Sequence, residues 1–157
     1  MASGRLIGQI ASSSDVVARE RTIQYYFYRK GISVTLPAAS TENAAAVLSK
    51  ATVRAAEQLE VRQAQLARVL GLSAATTSRL AAGTWLLPQD SKAWELAAAF
   101  VRLYRSLAAI TGGKAQAMRD WLHSANDALG GQPAERILTA EGLFHVVQYL
   151  DAARGRI

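Results

Sequence analysis

The 21 residues Gln63-Ala-Gln-Leu-Ala-Arg-Val-Leu-Gly-Leu-Ser-Ala-Ala-Thr-Thr-Ser-Arg-Leu-Ala-Ala-Gly83 constrain this chain more than any other stretch. Leu66, Ala67 and Leu70 fall on one face of a short helix by the i, i+3, i+4 rule. Gly71 follows at once, and a turn this tight needs a residue that tolerates positive φ. Leu72 is placed to tuck beneath the turn, and Ser73 is a good N-cap for a second helix, its hydroxyl taking a free backbone N–H. Thr77 and Leu80 return the inner face to the core, and Gly83 stops the helix. Ala67 is small enough to let the two helices cross closely. The spacing predicts a helix-turn-helix, whose second helix offers its first residues to the DNA major groove.

That geometry selects candidate contacts. Ala75 can meet a thymine methyl, while Ser73, Thr76, Ser78 and Arg79 supply polar groups near the start of the second helix. Gln63 sits at the N-terminus of the first helix, where free backbone N–H groups favour phosphate. Arg62, with Lys50, Arg54, Arg68 and Arg79, makes a set of cations suited to backbone contacts. In spacing and character the block resembles the Cro/repressor, or Xre, class of helix-turn-helix. Thr77 departs from that class, which usually has an apolar β-branched residue there. The threonine methyl can pack, and its hydroxyl can bond back to a carbonyl of the preceding turn. Ala74-Ala75-Thr76 also departs, since the class often carries amides at these positions.

The flanking chain reads as helical. Ser40-Thr41-Glu42-Asn43 opens a helix to about Leu59, with Ala45, Leu48, Thr52, Ala55 and Leu59 inward. Trp85-Leu86-Leu87-Pro88 interrupts the pattern, Trp85 sealing the bundle. Asp90 or Ser91 then caps a long helix to about Ile110, in which Trp94, Ala97, Ala98, Val101, Tyr104, Arg105 and Ala108 keep helical spacing. Gly112-Gly113 ends it. Another helix is expected from Lys114 to about Leu129, with Ala115, Met118, Trp121, Leu122, Ala125 and Leu129 inward, before Gly130-Gly131. Pro133 suits the first turn of a short helix to Leu138. Thr139 caps the last helix, Glu141 suits its dipole, and Leu143, Val146, Val147 and Leu150 form its apolar stripe. The expected fold class is all-α, and no internal repeat appears.

Residues 1–41 differ in character and leave two readings open. Thr22-Ile-Gln-Tyr-Tyr-Phe-Tyr28 and Ile32-Ser-Val-Thr-Leu36, joined by Arg29-Lys30-Gly31, suit a hairpin. A helix through residues 15–30 suits the same stretch. Tyr25, Tyr26, Phe27 and Tyr28 are too apolar for a short arm to leave in water. Burial against a second copy of the chain solves this, and a helix-turn-helix reading paired half-sites favours a two-fold homodimer.

The 157 residues suffice for one or two small domains with a real core. They contain no cysteine, which excludes disulfides and thiolate metal sites and fits the cytoplasm. His123 and His145 are the only histidines, and no pair has metal-ligand or catalytic spacing. Nothing resembles a Gly-rich phosphate loop after a strand, so no catalytic residue, metal or cofactor is expected. No apolar run is long enough to span a membrane, and Met1-Ala-Ser-Gly-Arg5 leads into no signal-peptide pattern. The net charge of +6 is spread out. Basic and acidic residues number five and two in residues 1–41, five and four in 42–90, and eight and six in 91–157. A modest basic excess permits nucleic-acid binding.

A second pattern lies in the C-terminal portion. Trp121-Leu122, Asn126, Leu129-Gly130-Gly131-Gln132-Pro133, Ile137-Leu138-Thr139 and Glu141-Gly142-Leu143, with Val146, Val147 and Leu150, resemble the toxin-binding domain of the Xre/MbcA/ParS antitoxins. With the helix-turn-helix, the resemblance runs from about residue 42 to the end. It implies an antitoxin that represses its own operon. It also implies a RES-domain toxin as partner, with an ADP-ribosyltransferase-like fold that consumes NAD. The alternative is a stand-alone Xre-type regulator without a toxin. The domains would then be an arm over 1–41, a DNA-binding domain over 42–88 and a toxin-binding domain over 89–157. In the last of these, Leu143, Val147, Tyr149 and Leu150 are the expected toxin contacts, with Phe144 as a further aromatic anchor. Arg154 and Arg156 flank Gly155 on a tail suited to a pyrophosphate-binding cleft.

Overall fold

Between Thr41 and Arg154 the apolar spacing resolves into seven α-helices and one 3₁₀ turn. The computed structural model describes residues 41–155, with side chains from residue 44. The hairpin, helix and dimer readings of the N-terminal arm lie outside the described residues, as do Arg156 and Ile157. The helices are α1 (Thr41–Gln58), α2 (Gln63–Leu70), α3 (Ala74–Ala81), α4 (Lys92–Ile110), α5 (Ala115–His123), α6 (Pro133–Arg136) and α7 (Ala140–Arg154). A 3₁₀ turn, Asp127–Leu129, lies between α5 and α6. No strand occurs among the described residues, so the chain is all-α there.

The α2–α3 unit forms for the reasons its sequence gives. Gly71 adopts φ 65°, and the Leu72 N–H turns back to the Ala67 carbonyl at 2.9 Å. Ser73 is extended, and its Oγ accepts the Thr76 N–H at 3.1 Å. Thr77 is fully buried, and its Oγ1 donates to the Ser73 carbonyl at 3.0 Å, so the core holds no unsatisfied hydroxyl there. Gly83 takes φ 71° just after α3. One connection was silent in the spacing: buried Ser49 on α1 accepts the Leu87 N–H at 2.9 Å. That bond fixes the loop after α3 to α1, and Leu87 fills the core beneath it.

The described residues pack as one unit with one continuous hydrophobic cluster, and α4 runs through it. On one side α4 meets α1 and α2, and on the other it meets α7. Ser91 caps α4, its Oγ accepting the Trp94 N–H at 3.1 Å, while Asp90 takes a left-handed turn (φ 60°) that Asp tolerates. The buried residues of α4 are Ala93, Leu96, Ala97, Ala99, Phe100, Leu103, Ser106 and Leu107. This face is rotated from the expected one. Trp94, Val101, Tyr104 and Ala108 lie half-buried at its border, and Ala98 and Arg105 are exposed. A helix packed on two sides buries a wide arc centred on its bulkiest apolar row, and here that row is Leu96, Phe100, Leu103 and Leu107.

The helix expected from Lys114 to Leu129 ends at His123. Ser124 Oγ returns to the Asp120 carbonyl at 2.6 Å, and the backbone turns extended. Asn126 then caps the 3₁₀ turn through its side chain and pairs with Gly131, each N–H reaching the other carbonyl at 3.1 Å. Ala125 is exposed, not inward; Leu129 is buried as expected. Pro133 opens α6, which ends at Arg136 rather than Leu138. Arg136 Nη2 donates to the Gly130 carbonyl at 2.6 Å, so the glycine pair and α6 form one closed loop.

Gly142, in the first turn of α7, explains another fixed point of the pattern. A Cβ there would lie 2.0 Å from the Arg136 carbonyl oxygen, so the start of α7 abuts α6 backbone to backbone. Gly142→Ala should therefore lower stability by about 1–3 kcal/mol, as overpacking typically does. Gly155→Ala, whose Cβ would come no closer than 3.6 Å to any atom, should be near neutral. Thermal unfolding of both variants measures the contrast; equal melting temperatures would show that the α6–α7 approach relaxes freely.

Candidate functional site

Two surfaces carry exposed groups in the expected places. The first is the outer face of α2 and α3. Arg62 and Gln63 are exposed at the start of α2, and Ser73, Ala74, Ala75, Ser78 and Arg79 along α3, with Thr76 half-buried. Ser73, Thr76 and Arg79 are three residues apart and form a hydrogen-bonded row. Ser73 Oγ and Thr76 Oγ1 lie 2.9 Å apart, and Arg79 Nη2 donates to Thr76 Oγ1 at 3.3 Å. Ser73 is thereby committed to the cap. Arg79 lies back along the helix and keeps its other N–H donors for an external partner. Gln65 Oε1 accepts the Arg62 N–H at 2.9 Å, fixing the entry to α2 while the Gln63 side chain stays outside.

The five cations grouped in the sequence do not share one place. Arg62 and Arg79 belong to the α2–α3 face. Lys50 and Arg54 line a groove between α1 and the C-terminal end of α3, with Gly83 and Leu86. Sequence order offered no signal for this separation, because it depends on how α1 crosses α3.

The second surface is the outside of α7. Leu143, Val147 and Leu150 are buried in the chain's own core, at 0, 5 and 0% exposure. In the chain by itself they close its bundle. The stripe of an amphipathic helix closes its own bundle first, because that burial is always available. The solvent face is Glu141, Phe144, His145, Gln148 and Ala152, at i, i+3, i+4, i+7 and i+11. Phe144 is 46% exposed, one of three large hydrophobic side chains left so among the described residues. Tyr149 is half-buried and stacks on Trp121 of α5, with centroids 6.2 Å apart and planes at 28°. Gln148 and Ala152 were missed by the apolar stripe, and the opposite side of the same periodicity would have found them. Arg154 is exposed at the last residue of α7.

A polar clamp holds the end of α7. Ser106 of α4, buried to 1% exposure, donates to Asp151 Oδ1 at 2.9 Å, and Arg102 Nη2 meets Oδ2 at 2.6 Å. Partial burial pushes the Asp151 carboxyl up. The Ser106 hydrogen bond, the Arg102 hydrogen bond and charge, and the more distant charge of Arg154 outweigh it, holding the group below the usual carboxylate range. Among the described residues, no cluster of His, Cys, Asp and Glu could hold a metal ion, and no helix is long and apolar enough to cross a membrane.

Residues 38–102 match the antitoxin Xre-like helix-turn-helix domain, and residues 106–156 match the antitoxin Xre/MbcA/ParS C-terminal toxin-binding domain. No curated protein matches the chain. The two matched segments define a DNA-binding antitoxin with a toxin partner. The chain belongs to the Xre/MbcA/ParS antitoxin family.

The Asp151 clamp predicts an acid-side signature. Its folded carboxyl titrates below the ordinary value of about 4, so its contribution is present above that value and is lost as pH falls through the folded pKa. Asp151→Asn should lower the melting temperature near neutral pH, with the deficit shrinking in acid. Melting curves between about pH 7 and pH 3 check this; a deficit that stays constant or grows in acid would remove the clamp as its cause.

Proposed function

We propose that this chain is the antitoxin of a type II toxin–antitoxin module, that it represses its own operon through α3, and that it blocks a RES-domain toxin that consumes NAD. The carrying observation is that one packed unit exposes both the start of α3 and the outer face of α7. A repressor and an inhibitor are thus joined through α4, and one fold supports both roles. As a repressor it acts as a homodimer on paired half-sites, with residues 1–41 contributing to the dimer. The cytoplasm, where operator DNA lies, is its place of action.

On DNA, Thr76, Ser78 and Arg79 read base edges, and Ala75 takes a thymine methyl. Ser73 orients this row by capping α3, while Arg62 and Gln63 bind phosphate at the start of α2. On the toxin, Phe144 and Tyr149 anchor in pockets, as aromatic side chains do at interface centres. Arg154 ends the anchored helix, and Arg156 follows two residues later in the sequence. A cleft that binds NAD accommodates a pyrophosphate and therefore suits a cationic plug. Filling it excludes the dinucleotide, so inhibition is competitive blockage with no chemistry by this chain.

Two measurements test this. Ser78→Ala/Arg79→Ala should weaken binding to the promoter fragment by roughly 1–3 kcal/mol if Arg79 reaches a base edge. Unchanged affinity at two salt concentrations would take α3 out of the interface. For the toxin, the full chain is compared with one ending at Ala153 in an NAD-consumption assay. Retained binding with lost inhibition supports the plug. Equal inhibition by both chains would assign neutralisation to the α7 surface alone.

A further inference from the structure

Three helices of the DNA-binding segment end on the same pair of backbone bonds. After α1 the Glu60 N–H donates to the Glu57 carbonyl at 3.2 Å and the Val61 N–H to the Ala56 carbonyl at 2.9 Å. The same two bonds end α2 at Gly71 and Leu72, and α3 at Gly83 and Thr84. Such an ending puts one residue in the left-handed region, where a Cβ is penalised and glycine is preferred. The chain uses glycine there twice, at φ 65° and 71°, yet after α1 it keeps Glu60 at φ 55°. The Glu60 side chain accounts for the exception. Its Oε1 accepts from Nη1 of Arg119 on α5. The Arg119 side chain is 28% exposed, and its Nε is out of water with no hydrogen-bond partner. Glu60 is its one ion-pair partner among the described residues.

We infer that Arg119 is a positioning residue for DNA binding: through Glu60 it holds the α1–α2 turn so that Arg62 and Gln63 present the start of α2 to phosphate. Arg62 is the N-cap of α2 and Gln63 its first residue, so only Val61 separates Glu60 from these groups. Buried Leu59 and the Val61 N–H anchor the turn to α1, and the ion pair adds a second attachment, to a helix of the other matched segment. Glu60 lies within residues 38–102 and Arg119 within residues 106–156. A partly desolvated guanidinium with one anion holds that anion more firmly than two freely hydrated side chains would hold each other. The toxin-binding segment thereby contributes to DNA affinity without touching DNA. This inference rests on the reading that α2 and α3 face the operator.

The test is promoter affinity of the full chain, with a melting curve for each variant to show that it is folded at the assay temperature. Glu60→Gly loses the ion pair but gains the preferred helix ending, so the fold should stay intact. Its promoter affinity should fall by roughly three- to tenfold, the scale of coupling through a residue that touches no ligand. Deleting an anion from a DNA-binding protein should by itself tighten binding, so a loss reports position and not charge. Arg119→Gln should weaken binding by a similar factor. The double variant Glu60→Gly/Arg119→Gln should be no weaker than the worse single one, because all three lack the same link. Wild-type or tighter binding by folded Glu60→Gly overturns the assignment, and so does an additive loss in the double variant. The Ser78→Ala/Arg79→Ala chain separates the two ideas. If it binds weakly while Glu60→Gly does not, the positioning role alone falls. If it too binds like wild type, the DNA-binding reading of α3 falls and the positioning role with it.

Discussion

The burial of α4 holds the described fold together. Leu96, Phe100, Leu103 and Leu107 are nearly or fully out of water, and they are reached from both sides. Removing such side chains from water contributes on the order of 1.5–3 kcal/mol each. The gain is available only when α1 and α2 close one side and α7 closes the other. The two matched segments therefore share their main source of stability. The two matched domains abut within this helix, between residues 102 and 106. They divide the work of the chain but not its core.

Packing this dense decides which side chains remain for partners. The apolar stripe of α7 is consumed by α4, so the helix offers Phe144, Gln148 and the Trp121–Tyr149 stack instead. The Asp151 clamp adds direction, since Ser106 and Arg102 hold the last turn of α7 where Arg154 leaves the bundle. On the other side Ser73 is used for capping, and the hydrogen-bonded row through Thr76 orients Arg79. In both places a group that looked like a contact in the sequence supports the residue beside it.

Local chemistry made much of this legible. Gly71, Ser73, Thr77 and Leu80 play the parts their spacing predicts, as do Ser91, Pro133 and Thr139 at later helix starts. Each rule involves atoms within a turn or so of one another. The misreadings fall where distant segments compete. The rotation of α4 depends on its being packed from two sides. The early end of α5 depends on Ser124, Asn126 and Gly131 offering the backbone better partners than continued helix. The spacing of Leu143, Val147 and Leu150 marks an apolar face without saying what covers it.

The sequence by itself determined the helices, their caps, the helix-turn-helix and the order of the two matched domains, because hydrogen bonds and φ preferences within a few residues settle those features. Tertiary structure alone decided the rotation of α4. It joined Ser49 to Leu87 and Ser106 to Asp151, and it set the α6 backbone against Gly142. It also parted Lys50 and Arg54 from the exposed start of α3. These outcomes depend on which helices cross and at what angle, and burial is a property of the whole packed unit that no short window of residues contains.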